Sequence, residues 1–149
     1  MTEAVLHAVF HALFRHGVQF EHMLLKPNMI LPGKEHAVRA SPEEVARATV
    51  KVLRRTVPAA VPSINFLSGG QTPAEATANL NAINTADVNA PWLLSFSYAR
   101  ALQEPPMAIW QGRAENVAAA QQAFLQRARL NAAAQRGAYT PAMESAAAR

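Results

Sequence analysis

Ser63-Ile64-Asn65-Phe66-Leu67-Ser68-Gly69-Gly70-Gln71-Thr72-Pro73-Ala74-Glu75 passes from a short apolar run, through two glycines, into a helix start. Its last four residues form a capping box with proline at the first helical position. The threonine hydroxyl can accept from the backbone three residues on, and the glutamate can reach back. Ser41-Pro42-Glu43-Glu44 repeats the pattern upstream. Helices are therefore predicted from near Pro42 to about Val57, where Pro58 stops the first, and from Pro73 to about Asn84. Val45, Ala48, Thr49 and Val52 in one, and Ala76, Leu80 and Ile83 in the other, lie at helical spacing and should face a core.

The same alternation extends in both directions. Leu24-Leu25 precedes the first of these helices by way of a Pro32-Gly33 loop. Trp92-Leu93-Leu94-Ser95-Phe96-Ser97-Tyr98 precedes an alanine-rich helix predicted over about Ala114 to Arg136. At the front, Leu6, Val9, Phe10 and Leu13 mark an amphipathic helix ending at His16-Gly17, and Val18-Gln19-Phe20 is read as opening the first strand region. Strands alternating with helices imply right-handed crossovers and a parallel sheet. The fold class is therefore α/β, with about three parallel strands and four flanking helices. Parallel strands are normally covered on both faces, and three of them leave two open edges, so the chain reads as part of a larger α/β structure.

Of 149 residues, 50% are hydrophobic, enough for a core. No apolar run approaches the ~20 residues that span a bilayer, and Met1-Thr2-Glu3-Ala4 lacks the basic start of a signal peptide. Without cysteine there is no disulfide framework and no thiolate zinc site. A cytoplasmic location is expected. The net charge is +4, with bases scattered apart from Lys51, Arg54 and Arg55. That distribution argues against a nucleic-acid partner and suits a small phosphorylated substrate. His7 and His11 have a metal-binding spacing, but alanine stands where the metalloprotease motif needs glutamate. They read as surface residues, and no metal is expected. Trp92 and Trp110 read as core or helix-packing residues.

Three features fall at the carboxyl ends of the predicted strands, where α/β proteins build ligand sites. Lys26 closes the apolar run Met23-Leu24-Leu25-Lys26-Pro27-Asn28-Met29-Ile30. An amine in apolar surroundings is disfavoured as ammonium and becomes a nucleophile toward carbonyls. The alternative is a strand-end lysine reaching for water. Ser68-Gly69-Gly70 is either an anion-binding nest backed by a helix N-terminus or an ordinary glycine turn. Arg100, just after Ser97, offers a planar fork for phosphate oxygens or a surface ion pair.

Together, Leu24-Leu25-Lys26-Pro27-Asn28-Met29, Phe66-Leu67-Ser68-Gly69-Gly70-Gln71, Leu80-Asn81-Ala82-Ile83-Asn84, Phe96-Ser97-Tyr98, Arg100-Ala101-Leu102-Gln103 and Tyr139-Thr140-Pro141 resemble class I fructose-bisphosphate aldolase in order and spacing. The resemblance implies a partial (β/α)8 TIM barrel covering strands six to eight. It divides the chain into residues 1–141, the C-terminal part of that barrel, and a flexible tail, 142–149. It further implies a metal- and cofactor-independent lyase of glycolysis and gluconeogenesis, from a homotetrameric family. Such an enzyme cleaves fructose 1,6-bisphosphate to dihydroxyacetone phosphate and glyceraldehyde 3-phosphate. In that likeness Lys26 forms the Schiff base, Ser68, Gly69 and Gly70 bind the C1 phosphate, and Ser97 and Arg100 contact the substrate nearby. Ala99 stands where the family has glycine, and its methyl is expected to crowd the phosphate or shift the strand end. None of the ten carboxylates matches the family's acid/base groups, so little cleavage is expected of this chain alone. The other reading is a non-catalytic, truncated aldolase that binds sugar phosphate or serves as an assembly partner.

Overall fold

The computed structural model describes residues 1–33, 35–86 and 89–146. At its centre lies a parallel sheet in the order β1 (Leu24–Leu25), β2 (Ser63–Phe66), β3 (Leu93–Phe96). Among the described residues there are six helices: α1 (Thr2–Arg15), α2 (Pro42–Thr56), α3 (Pro73–Ala86), α4 (Arg100–Trp110), α5 (Val117–Gln135) and α6 (Ala142–Ala146). The three parallel strands agree with the sequence reading, and the four expected helices form as α1, α2, α3 and α5; α4 and α6 are two that the sequence reading did not contain.

Both capping boxes form. The Glu44 amide donates to Ser41 Oγ while the Ser41 amide donates to Glu44 Oε2. Thr72 and Glu75 exchange the same pair of bonds. Ala76, Leu80 and Ile83 are fully buried as expected. The buried stripe of α2 is rotated, with Val45, Ala46, Thr49, Leu53 and Thr56 inside, while Ala48 and Val52 are half-buried.

Helix α4 escaped the sequence reading because Pro105 and Pro106 lie inside it. Each removes a backbone donor and normally costs an interior helix ~3 kcal/mol. The helix forms nonetheless, with Ala101 and Pro106 buried and its length packed against α5. The helix ends at Gln111 and Gly112, both left-handed with φ of 51° and 74°. Val18-Gln19-Phe20 does not open a strand. A 3₁₀ turn covers Phe20–His22 instead, because Phe20 turns back to pack edge-on against Phe10, ring centroids 5.5 Å apart. The alanine-rich helix begins at Val117, after a 3₁₀ turn at Ala114–Asn116. Beyond residue 141 the chain forms α6, held through Glu144; residues 147–149 of the expected tail lie outside the described residues.

Register separates the two faces of the sheet. Leu25, Ile64 and Leu94 share a row, as do Leu24, Ser63 and Leu93. Adjacent rows point to opposite faces. Ile64 and Leu94 are buried under the helices, whereas Leu24 and Leu93 are 65% and 57% exposed. One face is a core; the other carries uncovered leucines. Trp92 is buried and its indole N–H donates to Pro58 O. Trp110 is exposed, contrary to the core or packing role expected of it. His7 and His11 are exposed.

Candidate active site

Lys26 follows β1 directly, and Pro27 holds it extended, since a residue before proline avoids the helical region. The segment after it is fixed. Pro27 and Met29 are buried, the Ile30 amide donates to Thr49 Oγ1 at 2.9 Å, and the Asn28 side chain donates to Met29 O at 2.8 Å. Lys26 itself is exposed. The apolar shelter expected from its neighbours is absent because Lys26 alternates with Leu24 and so lies on the uncovered side of the sheet.

The glycine loop continues β2. Ser68 is buried, and Gly69 and Gly70 have φ of 61° and 83°. Left-handed backbone at two successive positions is steric territory for glycine. Gln71 closes the turn twice: its amide donates to Ser68 O at 3.0 Å and its side-chain amide to the same oxygen at 2.8 Å. Asn79, nearly two turns into α3, donates to Gln71 Oε1 at 2.5 Å. Among the described residues, the amides of Ser68, Gly69 and Gly70 have no protein acceptor. They stand at the N-terminus of α3, whose dipole favours an anion.

Arg100 arrives from the neighbouring strand end as the first residue of α4. It is exposed, and its Nη2 lies 3.7 Å from where a Cβ on Gly70 would sit. Ser97 is half-buried, and its amide donates to Phe66 O at 2.8 Å, carrying the β2–β3 pairing one step past the strands. Ala99 is exposed with φ of −94°. It needs no glycine there, and its methyl leaves the strand end in register with Phe66 opposite Phe96.

The structure thus gathers Ser68, Gly69, Gly70 and Arg100 into one anion-ready corner, with Ser97 and Lys26 on the neighbouring strand ends. A family model described as fructose-bisphosphate aldolase class-I matches residues 1–149. This chain belongs to the class I fructose-bisphosphate aldolase family. It is similar to aldolase B of Sparus aurata, 54% identical over 140 residues. It is also similar to cytosolic aldolase 4 of Arabidopsis thaliana, 52% identical over 139 residues. Those matches cover 94% and 93% of this chain but 38% and 35% of the relatives. A solved structure of Plasmodium falciparum aldolase, in complex with TRAP and a small-molecule inhibitor, superposes with a TM-score of 0.90 at 49% identity. It covers 93% of this chain and 40% of that one. The chain therefore spans well under half the length of these relatives.

Sequence reasoning missed the Gln71–Asn79 clamp and a buried polar cluster around Arg127. Among the described residues no three His, Asp or Glu side chains group as metal ligands, and no helix is long and apolar enough to cross a membrane.

Proposed function

We propose that residues 1–141 carry the nucleophile and the C1-phosphate site of a class I aldolase. The carrying observation is the approach of Arg100 Nη2 to Gly70, beside three backbone amides that have no protein acceptor among the described residues. A phosphate seated on the amides of Ser68, Gly69 and Gly70, with Arg100 and Ser97 alongside, brings the adjacent ketone toward Lys26. The Lys26 amine adds to the C2 carbonyl of fructose 1,6-bisphosphate and loses water to form an iminium. The C3–C4 bond breaks, its electron pair delocalising into the iminium as an enamine. The C4 hydroxyl proton departs to a base, and glyceraldehyde 3-phosphate leaves. Protonation and hydrolysis of the enamine release dihydroxyacetone phosphate and restore the amine. The part this chain plays in that reaction needs no metal or other cofactor and acts on a sugar phosphate in the cytoplasm.

The proton transfers, each worth ~10²–10⁴-fold, belong to groups beyond the length this chain shares with its relatives. The exposed row of Leu24 and Leu93 favours a second reading, in which the chain binds sugar phosphate without turnover and acts as an assembly partner. Titration with dihydroxyacetone phosphate tests the phosphate site. Arg100→Ala should weaken binding roughly 10-fold or more, the worth of a charged hydrogen bond. Equal affinity would sink the assignment. Detectable cleavage by the purified chain would overturn the placement of the proton transfers elsewhere.

A further inference from the structure

A guanidinium is buried behind the anion loop, against the first turn of α3. Arg127 on α5 is only 5% exposed. Its Nη2 donates to Pro73 O at 2.8 Å and to Thr77 Oγ1 at 2.5 Å. Its Nη1 donates to Glu144 Oε2 on α6 at 2.5 Å. The other Glu144 oxygen accepts from the Tyr139 hydroxyl at 3.0 Å, and the Tyr139 amide donates to Asn81 Oδ1 at 2.9 Å. Thr77 donates in turn to Asn131, itself fully buried. Among the described residues, Arg127 Nε is buried without a partner.

Pro73, whose carbonyl Arg127 grips, is three residues past Gly70. Little slack separates them. Gln71 is bonded to Ser68 through both backbone and side chain, Asn79 holds Gln71, and Thr72 is capped by Glu75. The glycine loop and α3 are thus joined by a continuous set of hydrogen bonds, and Arg127 ties that set to α6. If Glu144 withdraws, a buried guanidinium loses its counter-charge, which is strongly unfavourable. It regains hydration only by moving, and moving releases Pro73 O and Thr77.

We propose that Arg127 and Glu144 are positioning residues for the Ser68–Gly70 loop, so that docking of the 139–146 segment and occupation of the loop by a phosphate group favour each other. The proposal rests on the phosphate reading of that loop. Coupling between two sites is reciprocal: whatever docking of the segment contributes to phosphate affinity, phosphate contributes to docking. Burial and the Glu144 carboxylate push the Tyr139 hydroxyl up to about 12, so it remains a donor to Glu144 throughout the neutral range.

Hydrogen exchange on the intact chain, with and without saturating inorganic phosphate, tests this. Slower exchange is expected both in a peptide covering 66–72 and in one covering 137–146. Glu144→Gln should remove the second protection and weaken phosphate binding about fivefold or more, the lower end of allosteric coupling. Leu53→Ala, which destabilises the core away from the cluster, should leave the affinity of the folded chain unchanged. Protection at 66–72 without change at 137–146 overturns the coupling and leaves the phosphate site standing. No protection at 66–72 overturns the phosphate reading and this inference with it. The parent chain alone decides between these, whether or not either variant folds.

Discussion

The Leu67 amide donates to the Pro27 carbonyl at 3.0 Å, beyond the last ladder pair of β1 and β2, Leu25 with Ile64. This bond ties the backbone just after Lys26 to the residue just before Ser68. The nucleophile's segment and the anion loop are therefore spaced by main-chain geometry, which side-chain substitution does not loosen. Substitutions within the loop should act on phosphate affinity more than on the position of Lys26.

Gly70→Ala provides such a case. A Cβ would make only ordinary contact with Arg100, 3.7 Å away, but φ of 83° is strained for any L side chain. The strain costs roughly 1–2 kcal/mol, and the loop can relieve it only by turning its amides. Denaturant unfolding should show a loss of about that size, and phosphate titration a weakened site. An unchanged phosphate affinity would mean the loop amides are not the ligands.

The uncovered sheet face makes a prediction by contrast. Leu94→Ala, on the buried row, should cost about 2–5 kcal/mol. Leu24→Ser and Leu93→Ser, on the exposed row, should stay within about 0.5 kcal/mol of the parent and reduce binding of a hydrophobic dye. A large destabilisation from either serine variant would show that this face is covered in solution.

Acid should loosen α3 through Glu75. The hydrogen bond from the Thr72 amide, aided by the Thr72 hydroxyl and Arg39, holds this carboxyl below its ordinary value of 4.5. Its contribution is therefore present above pH 4.5 and lost as the pH falls through the lowered folded value. Glu75→Gln should flatten the acid limb of a stability–pH curve below 4.5. Thr72→Ala should cost about 0.5–2 kcal/mol at neutral pH, as N-cap removal does.

Alkali should act through the tyrosines. Burial raises both hydroxyls, Tyr98 strongly and Tyr139 to about 12. The unfolded chain ionises near pH 10 while the folded chain stays neutral, so stability should fall as the pH rises above 10. Tyr139→Phe should shrink that slope between pH 10 and 12, followed by circular dichroism.

The fold was legible where backbone chemistry speaks locally. Both capping boxes form with the bonds their spelling implies, and Ala76, Leu80 and Ile83 face the core. Helix α4 was not legible, because its prolines argue against a helix that tertiary packing then enforces. The Arg127 cluster was hidden by composition: alanines on every side of α5 give no stripe to mark which residue faces inward. At the site, the glycine loop and Arg100 were readable from turn chemistry and strand-end position. The exposure of Lys26 was not, since an apolar run says that shelter is wanted, whereas alternation with Leu24 places it on the face this chain leaves uncovered.

The central claim is that Lys26 is the residue that meets a phosphorylated ketone held by the glycine loop. Borohydride reduction in the presence of dihydroxyacetone phosphate, followed by peptide mass spectrometry, tests it directly. Lys34 and Lys51 are the remaining lysines and serve as internal controls. The account requires an adduct on Lys26 and neither control, suppressed by excess inorganic phosphate and by Arg100→Ala. Labelling spread evenly over the three lysines, or none on Lys26 in the folded chain, would contradict it.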